Sequence, residues 1–282
     1  MFSLYYHRVA DTHLNSWSIR MDDFREQILW MKEAYDMISL EEAQRRIREG
    51  NRRPAIAITF DDGYSENNEE AIPFLLSEQV PFTYFVTTDH TINQKPFPHD
   101  VEEGTPLPTN TVESLRAMAN AGVDIGAHTR THLDLGKATD PDLIFDEIVV
   151  ATREMERAIG HPLNYFAFPY GQYCNLNNNV FKLLKQAGFK GVCSAYGGWN
   201  SVGDDAFHIH RLHGDPNFPR IKNWLGFDPR LAGVERYDYS RTSIDWSGRD
   251  FFQAPKKQQT PLPDLTQSPE ANTTPSRQAT HE

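Results

Sequence analysis

The run Ile56-Ala57-Ile58-Thr59-Phe60-Asp61-Asp62-Gly63 constrains the fold more than any other stretch of these 282 residues. Apolar, β-branched and aromatic residues in close succession read as a buried strand. The strand stops abruptly at two adjacent carboxylates and a glycine. Like charges this close raise one another's pKa and call for a compensating cation. At the carboxyl end of a parallel strand that cation is often a metal ion, and the carboxylates are often catalytic. The competing reading is a plain turn with Asp-Gly at its tip.

What surrounds this strand sets its context. Residues 2–6 form a first apolar strand, followed by a helix with Phe24, Ile28 and Met31 on one face. Ser39 and Glu42 make a capping box for the next helix, which closes at Gly50 after Arg46 and Arg48. Beyond Gly63 the pattern predicts a helix over 69–78 and a strand over 81–87. A long polar loop over 91–108 follows, read as a surface insertion. Asn110, with Glu113 three residues on, caps a helix ending before Gly122, and a strand over 123–127 runs into His128. Asp140-Pro141 opens the longest helix, with Ile144, Ile148, Ala151 and Met155 on one face and Gly160 past its end. Strand 165–168, helix 180–187, strand 189–195 and a last strand over 207–212 complete the series. Strands alternating with helices argue an α/β architecture with a parallel sheet, and six or seven units suit a (β/α) barrel better than an open doubly wound sheet. Residues 1–235 are read as one catalytic barrel. Residues 236–252, with Tyr237, Tyr239 and Trp246, are a packing extension, and 253–282 a disordered polar tail without aromatic residues.

Composition narrows the partners. A hydrophobic share of 39% with 17 Phe, 11 Tyr and 5 Trp supports a sizeable core, while a net charge of −11 argues against nucleic acid and anionic membranes. Cys174 and Cys193 read as free thiols, since two cysteines without a CxxC define neither a disulfide framework nor a thiolate metal site. No membrane span is expected, and the first residues lack a basic segment followed by an apolar one, so a cytoplasmic location is expected.

Three strand ends carry unusual residues: Asp61-Asp62, then His128-Thr129-Arg130-Thr131-His132, then Phe168-Pro169-Tyr170-Gly171. In a β/α barrel all three would meet at one mouth. Two imidazoles four residues apart share a side if they lie on a helical turn. Two histidines and a carboxylate with open positions suit zinc or another first-row divalent ion.

Thr59-Phe60-Asp61-Asp62-Gly63, the pair His128 and His132, and Pro169-Tyr170-Gly171 together resemble the ordered motifs of polysaccharide deacetylases, the NodB-homology domains of carbohydrate esterase family four. The likeness spans about residues 2–215. It implies a distorted (β/α)7-type barrel that removes N-acetyl groups from amino-sugar polymers. O-acetyl esterase, deformylase and cyclic-amide hydrolase activities are the alternatives on the same scaffold, as is a catalytically silent sugar-binding domain. Carried over by motif, Asp61 resembles the general base, and Asp62, His128 and His132 the ligands of a divalent metal, usually zinc. Tyr170 resembles the residue whose backbone N–H binds the oxyanion, with Pro169 and Gly171 flanking it at the substrate. His213, after Leu212, best fits the acid, although His208 and His210 are close by. The arginine that many members carry two residues before the proline is Ala167 here; Arg211 or Arg130 could replace it. Trp199 could stack on a sugar, with core packing as the alternative. His7 reads as a structural histidine.

Overall fold

A computed structural model of the protein describes residues 1–226 and 228–252. Its strands are β1 (Phe2–Tyr6), β2 (Arg8–Val9), β3 (Ser18–Ile19), β4 (Asp36–Ile38), β5 (Ala55–Phe60), β6 (Phe82–Val86), β7 (Asp124–Ala127), β8 (Tyr165–Ala167), β9 (Gly191–Cys193), β10 (His208–Ile209) and β11 (Leu212–His213). All but β2 and β3 form one parallel sheet in the order β10-β9-β8-β7-β6-β5-β1-β11, with β4 beside the start of β5. The strands at the two ends of that order are neighbours in the chain, separated only by His210 and Arg211. One short segment therefore pairs first with β9 and then with β1, and closes the sheet. Taking β10 and β11 as one stave, the barrel has seven, so the distorted (β/α)7-type fold is the observed one. The single strand expected over 207–212 is thus split in two, because it must transfer from one edge of the sheet to the other.

Alternation along β5 sorts the apolar residues. Ile56, Ile58 and Phe60 join a large cluster shared with the helices, whereas Ala55 and Ala57 join Phe85, Tyr165, Ala167, Cys193 and Ile209 in a second, smaller one. Successive strand side chains face opposite ways, so the small cluster fills the barrel and the large one lies between barrel and helices. The interior accepts Phe85 because its neighbour is glycine: a Cβ on Gly126 would stand 2.3 Å from the Phe85 ring. The helix Leu40–Glu49 closes the floor. Its Gln44 donates to the carbonyls of Lys190 and Ala206 and accepts from the Tyr165 hydroxyl.

Several local expectations differ. Ser39 does cap its helix, but the Glu42 carboxylate binds Arg45 and Arg46 instead of completing the box. Thr111, not Asn110, caps the helix Val112–Asn120. Asn110 is buried, donating to the carbonyls of Gly63 and Tyr64. The long helix starting at Pro141 carries a π-helical segment, Asp146–Val150, before continuing as Ala151–Ile159. The stretch 91–108 is no featureless loop: it overlaps the helix Thr88–Asn93 and contains the helix Pro98–Glu102, anchored by buried Phe97 and Asp100. Near the C-terminus, Tyr237 and Tyr239 stack on Phe181, and fully buried Trp246 donates to the Asn179 carbonyl. The tail expected over 253–282 lies outside the described residues. None of the described helices is long and apolar enough to cross a membrane.

Emptying the barrel interior tests this packing. Phe85→Ala should cost about 3–5 kcal/mol in urea unfolding. A loss below about 1 kcal/mol would contradict a filled barrel.

Candidate active site

The inward file of β5, Ala55, Ala57 and Thr59, continues into Asp61. By strand alternation Asp62 would face away. Its φ of 71° places it instead in the left-handed region, which Asp tolerates better than most residues, and its carboxylate turns back to the barrel mouth. Both acids reach one site because the strand ends in this kink.

Arg211, at the closing seam, grips Asp61 with two parallel hydrogen bonds of 2.7 and 2.8 Å. It donates also to the Thr59 hydroxyl and the Ser194 carbonyl, and it is fully buried, with the Tyr5 ring 4.9 Å away. Burial alone would raise the Asp61 pKa; the guanidinium and nearby imidazoles outweigh it and hold the carboxyl below the usual range. Arg211 therefore supplies the cation missing at Ala167. Arg130 is elsewhere, paired with Asp146 and Glu154.

His128 ends β7, and its Nδ1 pairs with the Ala167 carbonyl at 2.8 Å, leaving Nε2 toward the mouth. Ala167 thus serves the site through its backbone. The turn to His132 is not helical: Thr129 and His132 both have φ of 63°. Its shape is set from outside the barrel by Glu147, a buried residue in the π-helical segment. That carboxylate accepts from the backbone N–H groups of Arg130 and Thr131 and from the Thr131 hydroxyl. Nε2 of His128 and of His132 lie 3.4 and 3.3 Å from Asp62 Oδ1. That oxygen is buried without a hydrogen-bond partner, and burial, which would raise the Asp62 pKa, is outweighed by the two imidazoles, which hold it well below the usual range. One oxygen and two nitrogens within 4.8 Å of one another, with an orphaned lone pair among them, fit a divalent metal ion.

These groups open onto a cavity of about 250 Å³. His7 lines it, its Nε2 3.9 Å from Asp62 Oδ2, so it belongs to the site rather than to the scaffold. His213 is set back, its ring against Tyr5, His7 and Trp17, and is not among the cavity-lining residues. His208 and His210 face outward, where Tyr196 and Tyr237 pack. The Tyr170 ring lines the wall 4.9 Å from His132. Pro169 and Gly171 shape the turn without lining the cavity, and a Cβ at Gly171 would stand 2.5 Å from the Ala195 nitrogen. Trp199 is far off: it packs on Phe2, at the opposite end of β1, and donates to the Trp224 carbonyl. The indole at the mouth is that of Trp17, nearly half exposed. His99 and Glu103 of the insertion complete the wall, so that segment belongs to the site. His7 was signalled by its place at a strand end. Trp17, Glu103 and Glu147 carried no comparable signal.

A closed parallel barrel with an Asp-His-His cluster at the carboxyl ends of its strands defines a metal-dependent hydrolase. The chain belongs to the polysaccharide deacetylase family, whose sequence profile it matches over residues 48–192. It is 24% identical over 217 residues to the Bacillus subtilis (strain 168) protein YxkH, covering 76% of this chain and 71% of that one. It is also 23% identical over 231 residues to the poly-beta-1,6-N-acetyl-D-glucosamine N-deacetylase of Staphylococcus aureus (strain MRSA252), covering 77% and 76%. The Streptococcus pyogenes deacetylase PplD, solved in complex with acetate, has the same fold, with a TM-score of 0.66, 21% identity and coverage of 80% of this chain and 98% of that one.

The outward histidines give a pH prediction. Burial pushes the His210 imidazole down from 6.5 to about 4. The unfolded chain then binds more protons between these values. Stability linked to His210 is complete above about pH 6.5 and is lost as pH falls toward about 4, by roughly 3 kcal/mol. His210→Asn should flatten the pH dependence of Tm across that window, as read by thermal melts; an unchanged slope would contradict a neutral, buried imidazole.

Proposed function

We propose that this protein hydrolyses N-acetyl groups from an amino-sugar polymer. The observation that carries the reading is the Asp62-His128-His132 cluster beside a second carboxylate, Asp61, held by Arg211. The deacetylase relatives support the substrate class. Zinc suits the donor set, and such an ion acidifies water and polarises an amide carbonyl.

Asp61 is the base. Arg211 occupies one lone pair on each of its oxygens, keeps it ionised and fixes its plane, while the remaining lone pairs can accept a proton. The Tyr170 amide is the protein donor to the tetrahedral oxyanion. Its φ of 61° and the tight Pro169–Gly171 turn give that amide its direction. His7 is the acid that protonates the leaving amine, in preference to His213, because His7 lines the cavity beside Asp62. Its Nδ1 is buried without a partner. Burial lowers its pKa by more than Asp62 and Asp61 raise it, so the imidazole sits below its ordinary value. Trp17 and Tyr170 offer flat faces for sugar rings.

Purified protein should carry about one equivalent of divalent metal and release acetate from N-acetylglucosamine oligomers. Asp62→Ala should lose the metal. Asp61→Asn and His7→Gln should keep it while lowering kcat by about 10²–10⁴-fold. Acetate release at the native rate after Asp61→Asn would sink the mechanism. Arg211→Met leaves the Asp61 carboxylate buried without a cation. It should cost about 3–5 kcal/mol of stability in denaturant titrations and move the acid limb of kcat/KM to higher pH, since the missing guanidinium lets the Asp61 pKa rise. An acid limb that stays put would show that Arg211 does not tune Asp61.

A further inference from the structure

We propose that Glu103 sets substrate choice by receiving the ammonium of a sugar unit that has already lost its acetyl group, so that the favoured substrate is a partly deacetylated glycan. This rests on the deacetylase reading above and extends it from the reacting unit to its neighbour.

Glu103 stands on a fixed wall. The short helix Pro98–Glu102 ends at it, and its backbone N–H donates to the His99 carbonyl at 3.0 Å. Fully buried Phe97 stacks between His90 and His99 and meets the edge of His132. Asp100, also buried, accepts from the Tyr64 hydroxyl at 2.9 Å. A carboxylate carried by such a wall keeps its position when a chain binds.

Of the carboxylates that line the cavity, Glu103 is the one without a side-chain partner among the described residues. Asp61 is neutralised by Arg211, and Asp62 converges with His128 and His132. Glu103 forms no ion pair among the described residues, and neither Lys nor Arg lines the cavity. The charged or titratable residues beside it on the insertion are His99, Asp100 and Glu102, and one oxygen of Asp100 has no hydrogen-bond partner. In open water an unpaired carboxylate on a surface costs nothing. Here a bound polymer displaces its hydration, which is unfavourable unless a partner replaces the water. An N-acetylated unit is neutral and offers only uncharged hydroxyl and amide donors. A deacetylated unit carries an amine that is protonated near neutral pH, and a charge-assisted hydrogen bond to Glu103 restores the balance. The cation that fits this wall is the reaction's own product on an adjoining unit.

The test compares two N-acetylglucosamine tetramers, one fully acetylated and one with a single free amine. Binding is followed by tryptophan fluorescence, which Trp17 at the mouth makes responsive, and turnover by acetate release. The partly deacetylated tetramer should bind about five-fold tighter or better at low salt, with the advantage shrinking as ionic strength rises. Glu103→Gln should erase the preference, and Glu103→Asp should keep part of it. Equal binding of the two tetramers by the native protein, or a preference that survives Glu103→Gln, would overturn the proposal. A Glu103-dependent preference in binding with no acetate released from either tetramer would uphold ammonium recognition at Glu103 and overturn the deacetylase reading instead.

Discussion

Much of this molecule hangs on the pairing of Arg211 with Asp61. A buried guanidinium and a buried carboxylate each lose hydration, and only close, parallel hydrogen bonds compensate. Arg211 can make them because of its position. It lies between the two short strands that join the ends of the sheet, so the residue that faces the proposed base is also part of the closure of the barrel. Its remaining donors go to Thr59 on β5 and to the carbonyl after β9, tying the seam to both sides of the interior. Closure of the fold and orientation of the carboxylate are one interaction.

The same economy appears around the candidate metal cluster Asp62, His128 and His132. Its histidines are directed by the backbone and by a side chain beyond the barrel: the Ala167 carbonyl orients His128, and Glu147 holds the turn to His132. Positive φ at Asp62, Thr129 and His132 concentrates unusual backbone geometry within the site. Strain of this kind persists where surrounding contacts over-determine it, as the buried barrel and its outer helices do here.

The near-continuous apolar run at β5 and helical faces such as Phe24, Ile28 and Met31 report burial, and burial determines the barrel; this is why the architecture could be read from the chain. The ordered acids and histidines were legible for the same reason, since each follows a strand. What escaped depends on distant pairings. Ala167 left Arg211 and Arg130 as equal candidates for the missing cation, because only the closing of the sheet brings Arg211, between β10 and β11, to Asp61. Trp199 and Trp17 are equally aromatic in sequence, and only the topology separates the floor from the mouth. The insertion read as surface because its anchors, Phe97 and Asp100, are interspersed with polar residues.

The π-helical segment has a further consequence. Glu147 holds the histidine turn chiefly through main-chain N–H groups, which every residue but proline possesses. The side chain of Arg130 ties the same turn to the outer helix a second time, through Asp146 and Glu154. The spacing that a divalent ion would meet is thus set in part from a helix outside the barrel. A substitution on the outside of the barrel, remote in sequence from every ligand, can retune the metal without altering a single residue that would bind it.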